Sequence, residues 1–128
     1  MALDYTIRFP NKIEEKEDLK QLIQNQDNNY FTLSELTHSD VGFLDGDFND
    51  EYLLLEFNDY SYLNIRLDKF KDNIVAKRAM MTLVSKIVNE IYPNDDYYFE
   101  FNGNIIYELR IDRVTHRQKK CDFYKYLD

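Results

Sequence analysis

The dipeptide Asn102-Gly103 constrains the fold of this chain more than any other sequence feature. It lies between two segments of strand-like composition, 97–101 and 105–111. Asn-Gly is preferred in tight hairpin turns, because the central residues of such turns adopt positive φ angles. A connection this short can join antiparallel strands but not parallel ones. The sequence therefore predicts an antiparallel hairpin in the C-terminal half of the chain.

Alternation of apolar and polar residues predicts further strands in the N-terminal half. We expect 51–57 and 62–67 to form a hairpin whose turn lies at 58–61. Residues 37–50 are polar and contain Asp45-Gly46, another dipeptide that hairpin turns prefer, so we expect a loop there. The predicted strands of this half are 5–9, 30–36, 51–57 and 62–67. Within 30–36, Thr32 and Glu35 also have the spacing of a helix capping box, so a helix start is the alternative there.

Two segments carry a helical pattern. The first covers 11–26 and has only a narrow apolar stripe, which indicates a surface helix. The second covers 71–92 and has a broad apolar face. Asp68 or Asp72 could cap this second helix, and Pro93 prevents its continuation.

These elements predict an α+β fold with a mostly antiparallel or mixed sheet of roughly five to six strands and two helices packed on one face. A chain of 128 residues has the usual size of one domain. The sequence contains no internal repeat, linker or low-complexity segment. We therefore expect residues 1–128 to form a single α+β domain.

Acidic residues are concentrated in one long segment. The formal net charge is −8, but residues 21–65 contain nine carboxylates and no Lys or Arg. Carboxylates crowded without counter-charges attract a basic partner and speed its association. A solvated face that keeps the protein soluble is the simpler explanation. The nine acids are Asp27, Glu35, Asp40, Asp45, Asp47, Asp50, Glu51, Glu56 and Asp59.

Aromatic residues are interspersed among these acids. Protein interfaces are enriched in Tyr and Phe at their centres and carry charge at the rim. Alternation along the strands should turn some of the rings into the core. The chain is therefore expected to bind a basic protein through a surface that contains Asp40, Asp45, Asp47, Asp50, Glu51, Glu56, Asp59, Phe48 and Tyr60.

Asp45, Asp47, Asn49 and Glu56 have the spacing of oxygen ligands in an EF-hand calcium loop. The sixth position is Asp50, where that loop needs glycine for a sharp turn. A strand pattern follows the acids, whereas an EF-hand continues as a helix. We therefore expect no metal ion or cofactor, and keep a calcium site as an alternative.

Groups that could carry catalysis are scarce. Cys121 is the only cysteine, and His116 is the only histidine near it in the sequence. No third group that would orient such a pair can be identified. Glycine-rich phosphate loops and G-x-S-x-G turns are absent from the sequence. We therefore expect a protein without enzymatic activity.

The C-terminal tail, 110–128, is basic and aromatic. Such a segment can contact nucleic acid by charge and stacking. In a protein of net charge −8, the simpler interpretation is that the tail balances the acidic segment within the same molecule.

Together these features predict a non-enzymatic inhibitor: a bacterial immunity or antitoxin-type protein that neutralises a basic toxin such as a nuclease. Abundant Asn, Ile, Lys and Tyr fit AT-rich codons and a bacterial or phage origin. Without a signal peptide or a membrane-length apolar run, we expect a cytoplasmic protein that contacts neither membranes nor nucleic acid directly. Two alternatives are a phage or mobile-element protein that mimics nucleic acid to block a host defence enzyme, and a small metal-dependent enzyme or calcium-binding module.

Overall fold

The computed structural model describes residues 3–120, 122–125 and 127. Within them, seven strands form one sheet in which every pairing is antiparallel. This confirms the α+β class and the antiparallel sheet, with more strands than expected. The elements are β1 Leu3–Phe9, α1 Glu17–Gln24, β2 Phe31–Leu33, β3 Thr37–Phe48, β4 Glu51–Leu67, α2 Asn73–Ser85, β5 Tyr97–Phe101, β6 Ile105–Ile111 and β7 Val114–Arg117, with a π-helical segment Lys86–Ile91 after α2.

The 17-residue strand β4 organises the sheet. The strand order is β2-β4-β1-β5-β6-β7, and β3 also pairs with β4. The C-terminal half of β4 pairs with β1, from Phe9 opposite Ser61 to Leu3 opposite Leu67. Its N-terminal half pairs with β3 instead. Residues 41–58 therefore extend past the end of β1 as a two-stranded hairpin, which we call the arm.

Asp59 lies at the base of the arm with φ 50°. Strict alternation along a strand would put Phe57 and Tyr60 on opposite faces, yet both are buried in one hydrophobic cluster. The left-handed conformation of Asp59 shifts the alternation of side chains along β4 by one residue, so that both rings face the same side. Aspartate adopts this conformation more readily than most residues. The predicted hairpin turn at 58–61 is therefore wrong, because the strand continues through it.

The predicted loop over 37–50 is also wrong, since most of it forms β3. Asp45-Gly46 lies inside this strand, and the chain reverses at Asn49-Asp50 with Asn49 at φ 56°. Gly46 has a packing role instead. A Cβ atom at this position would lie only 2.3 Å from the carbonyl oxygen of Asn104, in the turn that joins β5 to β6.

The two strongest local signals are confirmed. Asn102 and Gly103 have φ angles of 53° and 75° and connect β5 to β6 as a hairpin. The helix predicted over 71–92 forms as α2 and its π-helical continuation. Its N-cap is Asp72, whose Oδ1 accepts a hydrogen bond from the Val75 N–H at 2.9 Å.

Two elements differ from the expectation because of bonds that local sequence does not reveal. The first helix begins only at Glu17, since the preceding chain is held elsewhere: the Ile13 N–H donates to Ser61 Oγ at 2.9 Å. The last strand, β7, was not expected in the basic tail. It follows a tight turn at residues 112–113, both of which have positive φ although neither is glycine.

Two hydrophobic clusters stabilise the fold. The larger one joins both helices to β1, β4 and β5. That both helices pack on one face stays a prediction. The smaller one, which we call the arm cluster, lies between the arm and β6. The larger cluster includes Ile7, Phe9, Leu19, Leu63, Met80, Ile87 and Phe99, and the arm cluster consists of Leu44, Phe48, Phe57, Tyr60, Ile106 and Leu109.

The substitution Gly46→Val tests the close approach of the arm to the β5–β6 turn. A side chain here meets the backbone carbonyl of Asn104, which cannot rotate away, so the arm must lift and the arm cluster must loosen. We expect the free energy of unfolding to fall by about 1–3 kcal/mol in urea denaturation. Val41→Ala, at an exposed position of the same strand, should change it by less than about 0.5 kcal/mol. Equal effects of the two substitutions would contradict this packing.

Candidate functional site

The outer surface of the arm exposes four large apolar side chains. Val41 is 53% exposed, Phe43 62%, Tyr52 63% and Leu54 71%. Because side chains alternate between the two faces of a hairpin, all four lie on the side that faces away from the arm cluster. Grouped apolar side chains with a polar surround are typical of interaction sites. This surface is therefore the candidate functional site.

Acidic and apolar side chains face each other across the two strands of this surface. Directly opposed residues in an antiparallel pair have Cβ atoms about 4.5–5.5 Å apart, so each polar group lies beside an apolar one. We call the surface the arm face. Its four cross-strand pairs are Val41 with Asn58, Phe43 with Glu56, Asp45 with Leu54, and Asp47 with Tyr52.

A hydrogen bond fixes one of the exposed rings. The Tyr52 hydroxyl donates to Asp45 Oδ2 at 2.7 Å. This bond raises the pKa of Tyr52, with further contributions from desolvation and from the charges of Asp45 and Asp47. The phenol is therefore held neutral and oriented. An ordered aromatic side chain loses little conformational freedom on binding, which suits it as an anchor.

The tip of the arm is held against β6 by Gln118, which is buried. Its Nε2 donates to the carbonyl oxygens of Asp47 at 2.9 Å and Ile106 at 3.3 Å. Its Oε1 accepts from the Asn49 N–H at 2.8 Å. One amide side chain thus satisfies polar groups of both elements, and the arm face is displayed on a fixed support.

The C-terminal tail also contacts the tip of the arm. The Asn49 side chain donates to the Arg117 carbonyl oxygen at 3.3 Å and accepts from the Lys119 N–H at 2.8 Å. Lys120 forms an ion pair with Asp50. At this point the basic tail does compensate an acid of the arm. Cys121 lies outside the described residues.

The cationic side chain of Arg8 lies beneath the arm. The Arg8 guanidinium is 5.7 Å from the ring centroid of Phe57 and 5.9 Å from that of Tyr60, so the rings of the arm cluster pack on a cation. Glu100 is 1% exposed. Burial raises the pKa of the Glu100 carboxyl, and the positive charge of Arg8 opposes that shift. Cation–π contacts of Arg8 are therefore part of the support of the arm.

The predicted acids separate into three groups in the structure. Three of them share the arm face, which supports one collective surface. The others are exposed at its two ends, and two of these are compensated: Asp50 by its ion pair with Lys120, and Asp59 by Lys12, whose Nζ lies 3.8 Å from the carboxylate. The groups are Asp45, Asp47 and Glu56 on the arm face, Asp50 and Glu51 at the tip, and Asp40 and Asp59 at the base.

The two predicted rings lie in the core instead of on the surface. Phe48 is 8% exposed and Tyr60 6%, and both belong to the arm cluster. A partner does not reach them in this conformation. On the arm face, Phe43 and Tyr52 are the exposed rings. They can be found from the sequence once 37–48 is taken as one strand, because residues 44, 46 and 48 then face inward and 43, 45 and 47 outward.

The residues with EF-hand spacing do not form a loop. Asp45, Asp47 and Glu56 lie on extended strands, and the Oδ1 atom of Asn49 already accepts a hydrogen bond from Lys119. An EF-hand loop instead curls its oxygen ligands around the ion. Among the described residues, no group of three or more His, Cys, Asp or Glu side chains is placed to hold a metal ion.

A cleft of about 540 Å³ beside α2 is a second place where chemistry could occur. Its buried carboxylate, Glu108, is fully engaged: it accepts hydrogen bonds from Tyr97 and Tyr124, and Arg117 Nε lies 3.1 Å from its Oε2. A carboxylate with three donors acts as a structural anchor and is poorly placed to take a proton from a substrate. The arm face remains the stronger candidate.

Comparison with known proteins adds no relative: no protein-family model, curated protein or solved structure matches this chain. None of the helices in the described ranges has the length and apolar character needed to cross a bilayer. The functional inference therefore depends on the geometry of the arm face.

Removal of the charge of a buried glutamate should raise the free energy of unfolding at Glu100 and lower it at Glu108. The pKa of Glu100 is raised in the folded state, so its contribution to stability is greatest below its ordinary pKa of 4.5 and is lost as pH rises through the raised value. In the Glu100→Gln variant no carboxyl has to ionise in the buried site, so stability is not lost there as pH rises. We expect this variant to be more stable than the wild type at neutral pH, with a difference that vanishes in acid.

Glu108→Gln is the matched control. It removes charge-assisted hydrogen bonds from Arg117 and two tyrosines, so we expect it to lower the free energy of unfolding at neutral pH by about 1–3 kcal/mol. Thermal and urea unfolding between pH 4 and pH 8 measure both effects. A destabilised Glu100→Gln variant at neutral pH would contradict the burial penalty at that site.

Proposed function

We propose that this protein is a non-enzymatic inhibitor that binds a basic protein through the arm face, as a bacterial immunity or antitoxin-type protein acting in the cytoplasm. One observation carries the proposal: four exposed apolar side chains alternate with three carboxylates on an arm that Gln118 and the arm cluster hold in place. Such a surface places exposed apolar and charged groups side by side, and protein interfaces likewise combine the two kinds of group.

The charge of the arm supports a basic partner. The arm, residues 41–58, contains five carboxylates and no Lys or Arg. Toxins that cleave nucleic acid need positively charged clefts to bind phosphates. An acidic arm is attracted to such a cleft over a long range and associates with it quickly. Once it is in contact, burial of the exposed apolar side chains slows dissociation.

The apolar side chains favour a protein interface over mimicry of nucleic acid. A mimic needs carboxylates placed like phosphates along a ridge. Exposed apolar side chains between them, such as Val41, Phe43 and Leu54, have no counterpart in a phosphate backbone. Those three side chains are exposed, and they lie opposite Asn58, Glu56 and Asp45, respectively, on the neighbouring strand. Their burial against a complementary surface would contribute roughly 25 cal/mol per Å².

Charge reversal on the arm face tests the proposal directly. On this proposal the partner is a basic toxin domain encoded by a neighbouring gene, and that domain is the one to use. The variant carries Asp45→Lys, Asp47→Lys and Glu56→Lys. Loss of electrostatic attraction should slow association by roughly 10- to 1,000-fold at low ionic strength, and the effect should shrink as salt is added. Stopped-flow kinetics measures the rates, and circular dichroism confirms that the variant is folded.

The control reverses three exposed acids near α1: Glu14→Lys, Glu15→Lys and Glu17→Lys. It changes the net charge by the same amount as the first variant, but leaves the arm face intact. Equal slowing by the two triple variants would show that net charge alone drives the encounter, and an unchanged rate in the first variant would refute the arm face as the binding site.

Truncation of the apolar side chains tests the second half of the proposal. Phe43→Ala and Leu54→Ala should each raise the dissociation rate by roughly 10-fold or more, because anchors at the centre of an interface carry most of its binding energy. Val114→Ala, at an exposed apolar position on β7, should leave the rate unchanged. Dissociation that does not depend on Phe43 and Leu54 would contradict an apolar centre on the arm face.

A further inference from the structure

A second exposed apolar surface lies at the other end of β4, where the chain enters α2. Phe70 is 87% exposed, the largest exposed fraction among the large hydrophobic side chains in the described residues. Ile74 and Val75 follow it, each 41% exposed, and Lys69 and Lys71 flank the ring in sequence. We call these five residues the Phe70 patch.

The turn that carries Phe70 is held by defined hydrogen bonds. Asp68 Oδ1 accepts from the Phe70 N–H at 2.9 Å, and the Lys71 N–H donates to the Asp68 carbonyl oxygen at 3.2 Å. The Lys69 ammonium lies 5.3 Å from the centroid of the Phe70 ring. Exposure of a large ring to water is unfavourable, and the hydrogen-bonded turn keeps the ring exposed. Burial of the ring against a partner surface would therefore be favourable.

The charge around the Phe70 patch is opposite to that of the arm. Lys69 and Lys71 flank the Phe70 ring, and the two carboxylates beside them, Asp68 and Asp72, are engaged by the backbone N–H groups of Phe70 and Val75. The arm, residues 41–58, contains five carboxylates and no Lys or Arg. Both surfaces carry exposed apolar side chains at their centres. The arm face is thus complementary to the Phe70 patch in charge and alike in apolar character.

We propose that the Phe70 patch of one copy binds the arm face of a second copy. One copy cannot make this contact with itself, because Leu54 on the arm face and Leu67 before the patch are thirteen residues apart on the same strand, or roughly 40 Å along it. Each copy would use two different surfaces. Such a head-to-tail contact adds copies in a row or closes them into a ring.

Self-association of this kind would regulate the arm face. The second copy covers the apolar side chains that the basic partner needs, so partner and second copy compete for one surface. This competition rests on the proposed function, whereas the self-association does not. The net charge of −8 on each copy opposes the approach. The screening length is about 8 Å at physiological ionic strength, so this repulsion is weak between charges that lie farther apart than that.

Two variants, each with one surface blocked, test the head-to-tail contact. One carries Asp45→Lys and Asp47→Lys on the arm face. The other carries Phe70→Glu and Lys71→Glu in the Phe70 patch. Sedimentation velocity from micromolar to millimolar concentration should show association of the wild type and a loss of it in both variants. An equimolar mixture should form a dimer and nothing larger, because only one complementary pair of surfaces remains.

Val114→Glu is the control, since it changes an exposed apolar residue outside both surfaces and should associate like the wild type. Circular dichroism confirms that each variant is folded. A wild type that stays monomeric throughout, a blocked variant that still associates, or a mixture that stays monomeric would each overturn the proposal.

The basic toxin domain separates this inference from the proposed function. The variant with the blocked Phe70 patch keeps its arm face and should bind the toxin domain at least as tightly as the wild type. Toxin binding without self-association removes only the inference of a second copy. Self-association without toxin binding removes only the proposed function.

Discussion

Gly46 lies so close to the carbonyl oxygen of Asn104 that no side chain fits between them, and this contact allows the arm to lie on β6. An isolated two-stranded hairpin is marginally stable in water. Here the inner side chains of the arm close the cluster with Ile106 and Leu109, while Gln118 satisfies backbone groups of both elements. The shape of the arm therefore depends on tertiary packing more than on its own sequence.

The same packing determines which side chains of the arm are exposed to solvent. Once the even-numbered residues 44 and 48 face β6, alternation leaves Phe43, Asp45 and Asp47 outside, and the opposite strand adds Tyr52, Leu54 and Glu56. Apolar and acidic groups are thereby combined on a surface of the arm, whose residues 41–58 include no Lys or Arg. A basic protein partner would neutralise the repulsion between these acids and cover the apolar groups at the same time.

The sequence predicted correctly those elements that depend on interactions between residues close in sequence. The Asn102-Gly103 hairpin, the helix over 71–92 and its Asp72 cap depend on neighbours in sequence, and all three are present. The continuous strand through Asp59 and the use of Gly46 for close packing depend on distant residues, so the sequence pattern indicated turns there. The error carried over to the site. The run of acids indicated the region of Asp45, Asp47 and Glu56, whereas finding the exposed rings requires 37–48 to be recognised as one strand.

Hydrogen exchange of the amides, measured by mass spectrometry with and without the basic toxin domain, tests the central claim most directly. If the arm face binds the partner, slowed exchange should be concentrated in peptides that cover 37–58, with little change over 97–111. Slowed exchange confined to α2 or to the cleft at Glu108, with 37–58 unaffected, would contradict the account.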